Sequence, residues 1–204
     1  MKNILAIIVL ISFVSNQEIG IIGSKSWTNN QDIENPLGFG LYIAQPLFQK
    51  LHVRLEFSRH TNQRKYIGTT YDGGPVGYNS KTELIKSYAY INSLELSFIY
   101  SVLESKYFNL KIGPGINTNS LDANKKGMET GRPVAVLGVD KFGLSLLINI
   151  VTNELKFVPL RLNCLYKRRY LGYIGATRVA TDIENPFEDL IDISELQLGL
   201  SYSF

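Results

Sequence analysis

Ile193-Ser-Glu-Leu-Gln-Leu-Gly-Leu-Ser-Tyr-Ser-Phe204 ends the chain in strict alternation. Leu196, Leu198, Leu200, Tyr202 and Phe204 fall on one side, and Glu195, Gln197, Gly199, Ser201 and Ser203 on the other. A period of two makes this a strand with one apolar and one polar face. About ten such residues, tilted, cross a bilayer with their aromatic end at an interface.

The same pattern recurs upstream. Leu51, Val53, Leu55 and Phe57 alternate with His52, Arg54, Glu56 and Ser58. Leu94, Leu96, Phe98 and Tyr100 alternate with Ser93, Glu95 and Ser97; Phe108, Leu110, Ile112, Pro114 and Ile116 alternate with Asn109, Lys111, Gly113 and Gly115. A soluble sandwich also alternates. Repetition in every strand, with full charges on the polar face, is what a membrane barrel requires. A weak strand is expected over 18–25, and further strands over 36–45 and 156–167. A long strand over 133–150 is expected to kink near Gly138. Reading Asp140-Lys141 as a hairpin turn instead would give nine strands, whereas bacterial single-chain barrels use even numbers. A bulge is expected where the pattern slips at Ile91-Asn92. The count is eight, and the fold class is all-β: an eight-stranded antiparallel transmembrane barrel with up-and-down connections.

Connections near Pro46, Glu104 and Asn153 are short. Those beginning at Trp27, Arg59, Thr118 and Arg168 are long, the second holding the turn cluster Asp72-Gly-Gly-Pro75. Short periplasmic turns and long external loops are the usual asymmetry of such barrels, and here they put both strand termini on the periplasmic side.

Residues 1–17 read as a secretory signal, with Lys2, an apolar run from Ile4 to Ile11 and a polar exit at Ser15-Asn-Gln17. The run is too short for a spanning helix, which takes about 20 residues. The mature barrel is then 18–204. The lone cysteine, Cys164, cannot close an internal disulfide and is expected to face lipid. A net charge of +3 is too slight to imply nucleic acid.

The run Tyr107-Phe-Asn-Leu-Lys-Ile-Gly-Pro-Gly-Ile-Asn117, the segment Tyr90 to Tyr100 and the ending Leu198-Gly-Leu-Ser-Tyr-Ser-Phe204 resemble the outer-membrane β-barrel domain family. That family includes the PorT-like proteins of Bacteroidetes and is similar in architecture to the OmpA and OmpX barrels. The resemblance implies residence in the outer membrane and insertion by the barrel-assembly machinery through the strand ending at Phe204. For the PorT-like proteins it implies accessory work in secretion or envelope assembly. It carries no catalytic motif and no cofactor.

His52, Arg54, Glu56, Glu95, Lys111, Arg161 and Glu195 are expected to point inward. Eight strands leave an interior just wide enough for side chains. Charges confined there must pair, which gives a salt-bridged plug rather than a narrow pore or proton path. His60, within Ser58-Arg-His-Thr-Asn62, is expected at the outer rim. Lipid A deacylases place serine two residues after such a histidine; here Asn62 stands there, so no nucleophile is evident. Basic residues including Arg59, Arg64, Lys65, Lys86, Lys125, Lys126, Lys167, Arg168 and Arg169 are expected near strand tops and in loops, where phosphorylated lipopolysaccharide would meet them.

The pentapeptide Asp32-Ile-Glu-Asn-Pro36 recurs as Asp182-Ile-Glu-Asn-Pro186. Ring closure brings the two flanking strands together. Asp32, Glu34, Asp182 and Glu184 are therefore a candidate rim site for a hard cation such as calcium, which favours several oxygen ligands; the plain alternative is that each copy ends a loop, proline being tolerated at a strand's start. The leading function is non-enzymatic, in envelope structure, adhesion or contact with an envelope protein. A lipid A hydrolase and a small passive pore are the alternatives.

Overall fold

The computed structural model describes residues 17–30, 33, 35–74, 77–131, 133–154, 158–172, 177–179 and 190–203. Nine strands follow in chain order: β1 (Glu18–Thr28), β2 (Leu37–Pro46), β3 (Leu51–Gly74), β4 (Gly77–Glu104), β5 (Phe108–Gly127), β6 (Pro133–Thr152), β7 (Leu160–Leu171), β8 (Thr177–Val179) and β9 (Ile191–Ser203). Each long strand pairs antiparallel with its neighbours. The ring closes where β1 meets β9, from Glu18 opposite Ser203 to Thr28 opposite Ile193. Eight strands form the barrel. The three-residue β8 lies outside that ring and pairs with the upper part of β6.

Alternation decides which side chains meet lipid. Ile21, Phe39, Leu41, Phe57, Leu144, Leu146, Leu162 and Leu198 are all exposed on the outer wall. In water such a belt would be an aggregation surface; in a bilayer it is the solvated face. Tyr90 and Tyr100 bracket it on β4. Their ten-residue separation, at about 3.3 Å per residue and a 45° tilt, is roughly 23 Å, close to the usual apolar band. Cys164 is exposed on the same outer wall.

Two expected loops are strand instead. β3 runs on from Arg59 to Gly74 and returns along β4 from Gly77, in one unbroken register from Leu51 opposite Tyr100 to Gly74 opposite Gly77. The Asp72-Gly-Gly cluster sits at the end of that hairpin. β5 likewise continues from Thr118 to Gly127 against β4 and β6. Beyond the lipid both faces of a strand are polar, so the period-two contrast fades although the hydrogen-bonded ladder continues.

The bulge expected at Ile91-Asn92 is also absent: those residues pair in register with β3 and β5, and the irregularity lies at Ser101/Leu103. β6 is one strand that holds register with β5 through Gly138 and Asp140-Lys141, so no hairpin turn falls there, and the β5–β6 shift is at Lys125/Lys126. Gly113 marks a close backbone approach. A β-carbon there would overlap the Phe98 carbonyl oxygen, so glycine is required.

Candidate functional site

The lumen is filled in layers. At the short-turn end a cavity of about 380 Å³ is lined by Glu18, His52, Glu154 and Arg161, among others. Arg161 donates to Glu154 at 2.9 Å and lies 3.7 Å from Glu18. Lys111 projects inward and is nearly buried. Tyr42 donates its hydroxyl to Glu18 at 2.6 Å, and the Arg54 guanidinium stacks 3.9 Å over the Tyr42 ring.

Above this lies the charged layer. Glu56 accepts from Arg54 and from Lys167, both at 2.8 Å, and from Gln197 at 2.7 Å. Lys167 also reaches Glu95 at 3.1 Å, and Ser97 donates to the same Glu95 oxygen at 2.8 Å. Gln197 bridges on to Glu195 at 2.9 Å and accepts from Arg54 at 3.1 Å. Arg169 pairs with Glu195 and donates to Ser93 at 2.7 Å. Arg54, Glu56, Glu95, Lys167, Arg169 and Glu195 are each at most 1% exposed. Burial at that depth is tolerable because each charge meets an opposite one, although Arg54 Nε and Nη1, Glu95 Oε2 and Arg169 Nε have no hydrogen-bond partner among the described residues.

The third layer is apolar. Ala89, Ile91, Leu121, Ala123, Val139, Leu171, Ile191 and Ile193 turn inward at the long-loop end, and Ile33 from the β1–β2 connection seats among them. Ionic fill at mid-height and a greasy cap above it leave no continuous water column along the axis of the described barrel.

Of the seven residues expected inside, Arg54, Glu56, Glu95 and Glu195 form the central cluster, while His52, Lys111 and Arg161 line the short-turn end. Lys141, Lys167 and Arg169 were not expected there. Lys167 and Arg169, assigned to the strand tops by their basic run, point inward because β7 continues to Leu171. Their alternation with Tyr166, Arg168 and Tyr170 was the available signal. Arg168 does face out, donating to Asp192 at 2.6 Å.

His60 is corrected from the rim to the lumen, where it is 1% exposed. β3 does not end there, and its even-numbered residues face inward through this stretch. Its Nε2 lies 3.0 Å from both Ser24 Oγ and Glu195 Oε1. A serine, a histidine and a carboxylate thus meet, but not as a relay. Activation of a hydroxyl needs the serine on one ring nitrogen and the carboxylate on the other. Here both share Nε2, while Nδ1 has no partner among the described residues. The four residues of the candidate cation site, Asp32, Glu34, Asp182 and Glu184, lie outside the described residues, as does Phe204.

Outside the lipid, Arg59 stacks 5.0 Å over Tyr90, Lys86 4.7 Å over Tyr88, and Arg168 5.2 Å over Tyr170. Glu83 braces the ribbon made by the outer parts of β3 and β4. It accepts from the Glu129 amide at 2.7 Å, the Thr130 amide at 3.0 Å and hydroxyl at 2.6 Å, and the Thr70 hydroxyl at 2.8 Å. The Thr130 hydroxyl above all, helped by the Thr130 and Glu129 amides and by Thr70, outweighs desolvation and holds this carboxyl down at about 2.

The closed ring, its lipid-facing belt and its filled lumen decide the architecture. The fold is that of a bacterial outer-membrane barrel. Ail, the attachment invasion locus protein of Yersinia pestis, is similar in structure with a TM-score of 0.53 at 14% identity, over 94% of this chain and 100% of Ail; that crystal structure holds the heparin analogue sucrose octasulfate. A major outer membrane protein of Thermus thermophilus is similar with a TM-score of 0.59 at 12% identity, over 92% of this chain and 99% of the other. No protein-family model and no curated protein sequence matches the chain.

Proposed function

We propose that this barrel is a non-enzymatic surface protein of the outer membrane, acting through what it presents outside the lipid rather than through its interior. The single observation that carries this reading is the contrast between a filled, sealed lumen and a long external ribbon. At about 3.3 Å per residue, the stretch from Asn62 to Gly74 reaches roughly 40 Å past the last contact of β3 with β2. Such length has no use in lining a pore. Adhesion, envelope integrity and accessory work in secretion all fit it, the last being the variant that the PorT-like resemblance suggests.

Lipopolysaccharide is the first partner. Arg59 stands two residues beyond the lipid-facing Phe57, roughly 5 Å higher, and is stacked on Tyr90. That is the height at which a guanidinium meets headgroup phosphate. Insertion through the C-terminal strand by the assembly machinery belongs to the same proposal.

The test replaces residues 65–86 by an Asn-Gly turn, which keeps the membrane-embedded part of the barrel. The trimmed protein is expected to keep heat-modifiable gel mobility while losing partners cross-linked in native membranes. An identical set of cross-linked partners would refute the reading. Against the lipid A hydrolase, overexpression is expected to leave the lipid A mass profile unchanged. Against the pore, planar-bilayer recordings are expected to show no conductance steps.

A further inference from the structure

Three lysines stand side by side on the ribbon. Lys65 of β3 is directly opposite Lys86 of β4, and Lys86 is directly opposite Lys126 of β5. Directly opposed residues share a face, so the three ammonium groups form one row across three strands. The row is eight residues beyond Phe57 on β3 and eight beyond Leu94 on β4. At a 45° tilt that is roughly 19 Å above the apolar belt, past the lipid phosphates. Like charges in adjacent cross-strand positions destabilise a sheet, so the arrangement is unfavourable as it stands.

The row also stops at an edge. β2 pairs with β3 only as far as Leu37 opposite Thr61. From Asn62 onward β3 has β4 on one side and, among the described residues, no strand on the other. Gln63 through Ile67 are all exposed. Two residues beyond Lys65 on the same face is Ile67, 77% exposed and opposite Leu84, itself 37% exposed. The backbone groups of Gln63, Lys65 and Ile67 face that open side and have no partner among the described residues; such an edge, with a protruding β-branched residue, is a template for another strand.

We infer that the Gln63–Ile67 edge of β3 accepts an extended segment of another protein by strand addition, and that it selects one carrying a carboxylate opposite Lys65 and an apolar residue opposite Ile67. The added carboxylate would complete the row Lys126–Lys86–Lys65 with the charge it lacks. The added apolar side chain would cover Ile67 and continue the Ile67–Leu84 row. Backbone hydrogen bonds supply the general affinity, and these two alternate side chains supply the choice. A second copy of this chain is disfavoured, because edge-to-edge pairing about Lys65 would bring that cation against its own copy.

This inference rests on the surface-interaction reading and is tested separately from it. The probe is a fluorescent eight-residue peptide of alternating threonines, with glutamate and isoleucine at two successive positions of one face, titrated against the full-length barrel in detergent and followed by anisotropy. Saturable binding is expected. Lys65→Glu and Ile67→Lys are each expected to weaken it at least tenfold, while Arg168→Gln, on the far side of the barrel, leaves it unchanged. N-methylation of alternate peptide amides is expected to abolish it. No binding at millimolar peptide, equal binding of a peptide with lysine in place of glutamate, or indifference to N-methylation would each overturn the inference. So would a homodimer by light scattering that Lys65→Glu dissociates, since the edge would then belong to a second copy. Heat-modifiable mobility of the variants separates lost binding from lost folding. Should the peptide fail while trimming residues 65–86 still removes native partners, the edge is refuted and the broader reading stands.

Discussion

Lys167→Met removes one charge from the middle of the lumen while nearly preserving volume. The ammonium group is 2.8 Å from Glu56 and 3.1 Å from Glu95, and its side chain is fully buried. At an effective dielectric of 20, each contact is worth about 5–6 kcal/mol of Coulomb attraction. Much of that offsets desolvation, and loss of one partner of a buried pair costs about 3–5 kcal/mol overall. Glu56 keeps Arg54 and Gln197, so Glu95, left with Ser97, bears most of the penalty. Urea unfolding in lipid vesicles, followed by the single tryptophan, Trp27, is the assay. Lys167→Met is expected to lower stability by about 3–5 kcal/mol. Adding Glu95→Gln removes the orphaned charge and is expected to restore most of the loss. A single variant within about 1 kcal/mol of the parent would mean exposed-type, solvent-screened charges. It would refute the sealed lumen and revive the pore.

Three further outcomes follow from the geometry. Glu83, with a folded value near 2 against an ordinary 4.5, contributes stability that is full above the ordinary value and lost as pH falls through the folded one. The ribbon and the turn at 128–131 are therefore expected to keep amide-exchange protection at pH 6 and lose it between about 4.5 and 2, and Glu83→Gln is expected to flatten that profile. Gly113→Ala drives a β-carbon into the Phe98 carbonyl and is expected to cost about 1–3 kcal/mol or more, seen as a lower yield of heat-modifiable barrel. Glu195→Gln leaves Arg169 short of its carboxylate, with an expected loss of about 3–5 kcal/mol in the same urea assay.

What could be read from residues alone was the part in contact with lipid. From Leu51 to Phe57 and from Leu196 to Tyr202, one face must be apolar and the other must fill a narrow interior, so each position announces its side. The signal failed where either demand lapsed. Above the belt, Gln63-Arg-Lys65 is polar on both faces, and a continuous strand looked like a loop. In the upper lumen, Ala89 and Ile91 are apolar inside while Tyr88 and Tyr90 are apolar outside, and vanished contrast looked like a bulge. Lys167 and Arg169 were hidden in a basic run whose parity, not composition, sorts them. Which groups pair across the barrel depends on radial proximity, which no local pattern encodes.

Long-range pairing also bears on how the barrel comes to be. Glu195 and Gln197 ride on the last strand, yet their partners His60, Arg54 and Glu56 ride on the third, more than 130 residues earlier. A sheet lacking its final seam would still pair Arg54 with Glu56 along one strand but would hold Lys167 of β7 apart from Glu56 and Glu95 beside hydrocarbon, a costly intermediate. Neutralisation and circularisation are hence a single cooperative event, and a partly zipped ribbon gains little until β9 arrives. The same coupling works in reverse: peeling β9 away strands several charges at once, so the finished barrel opens slowly.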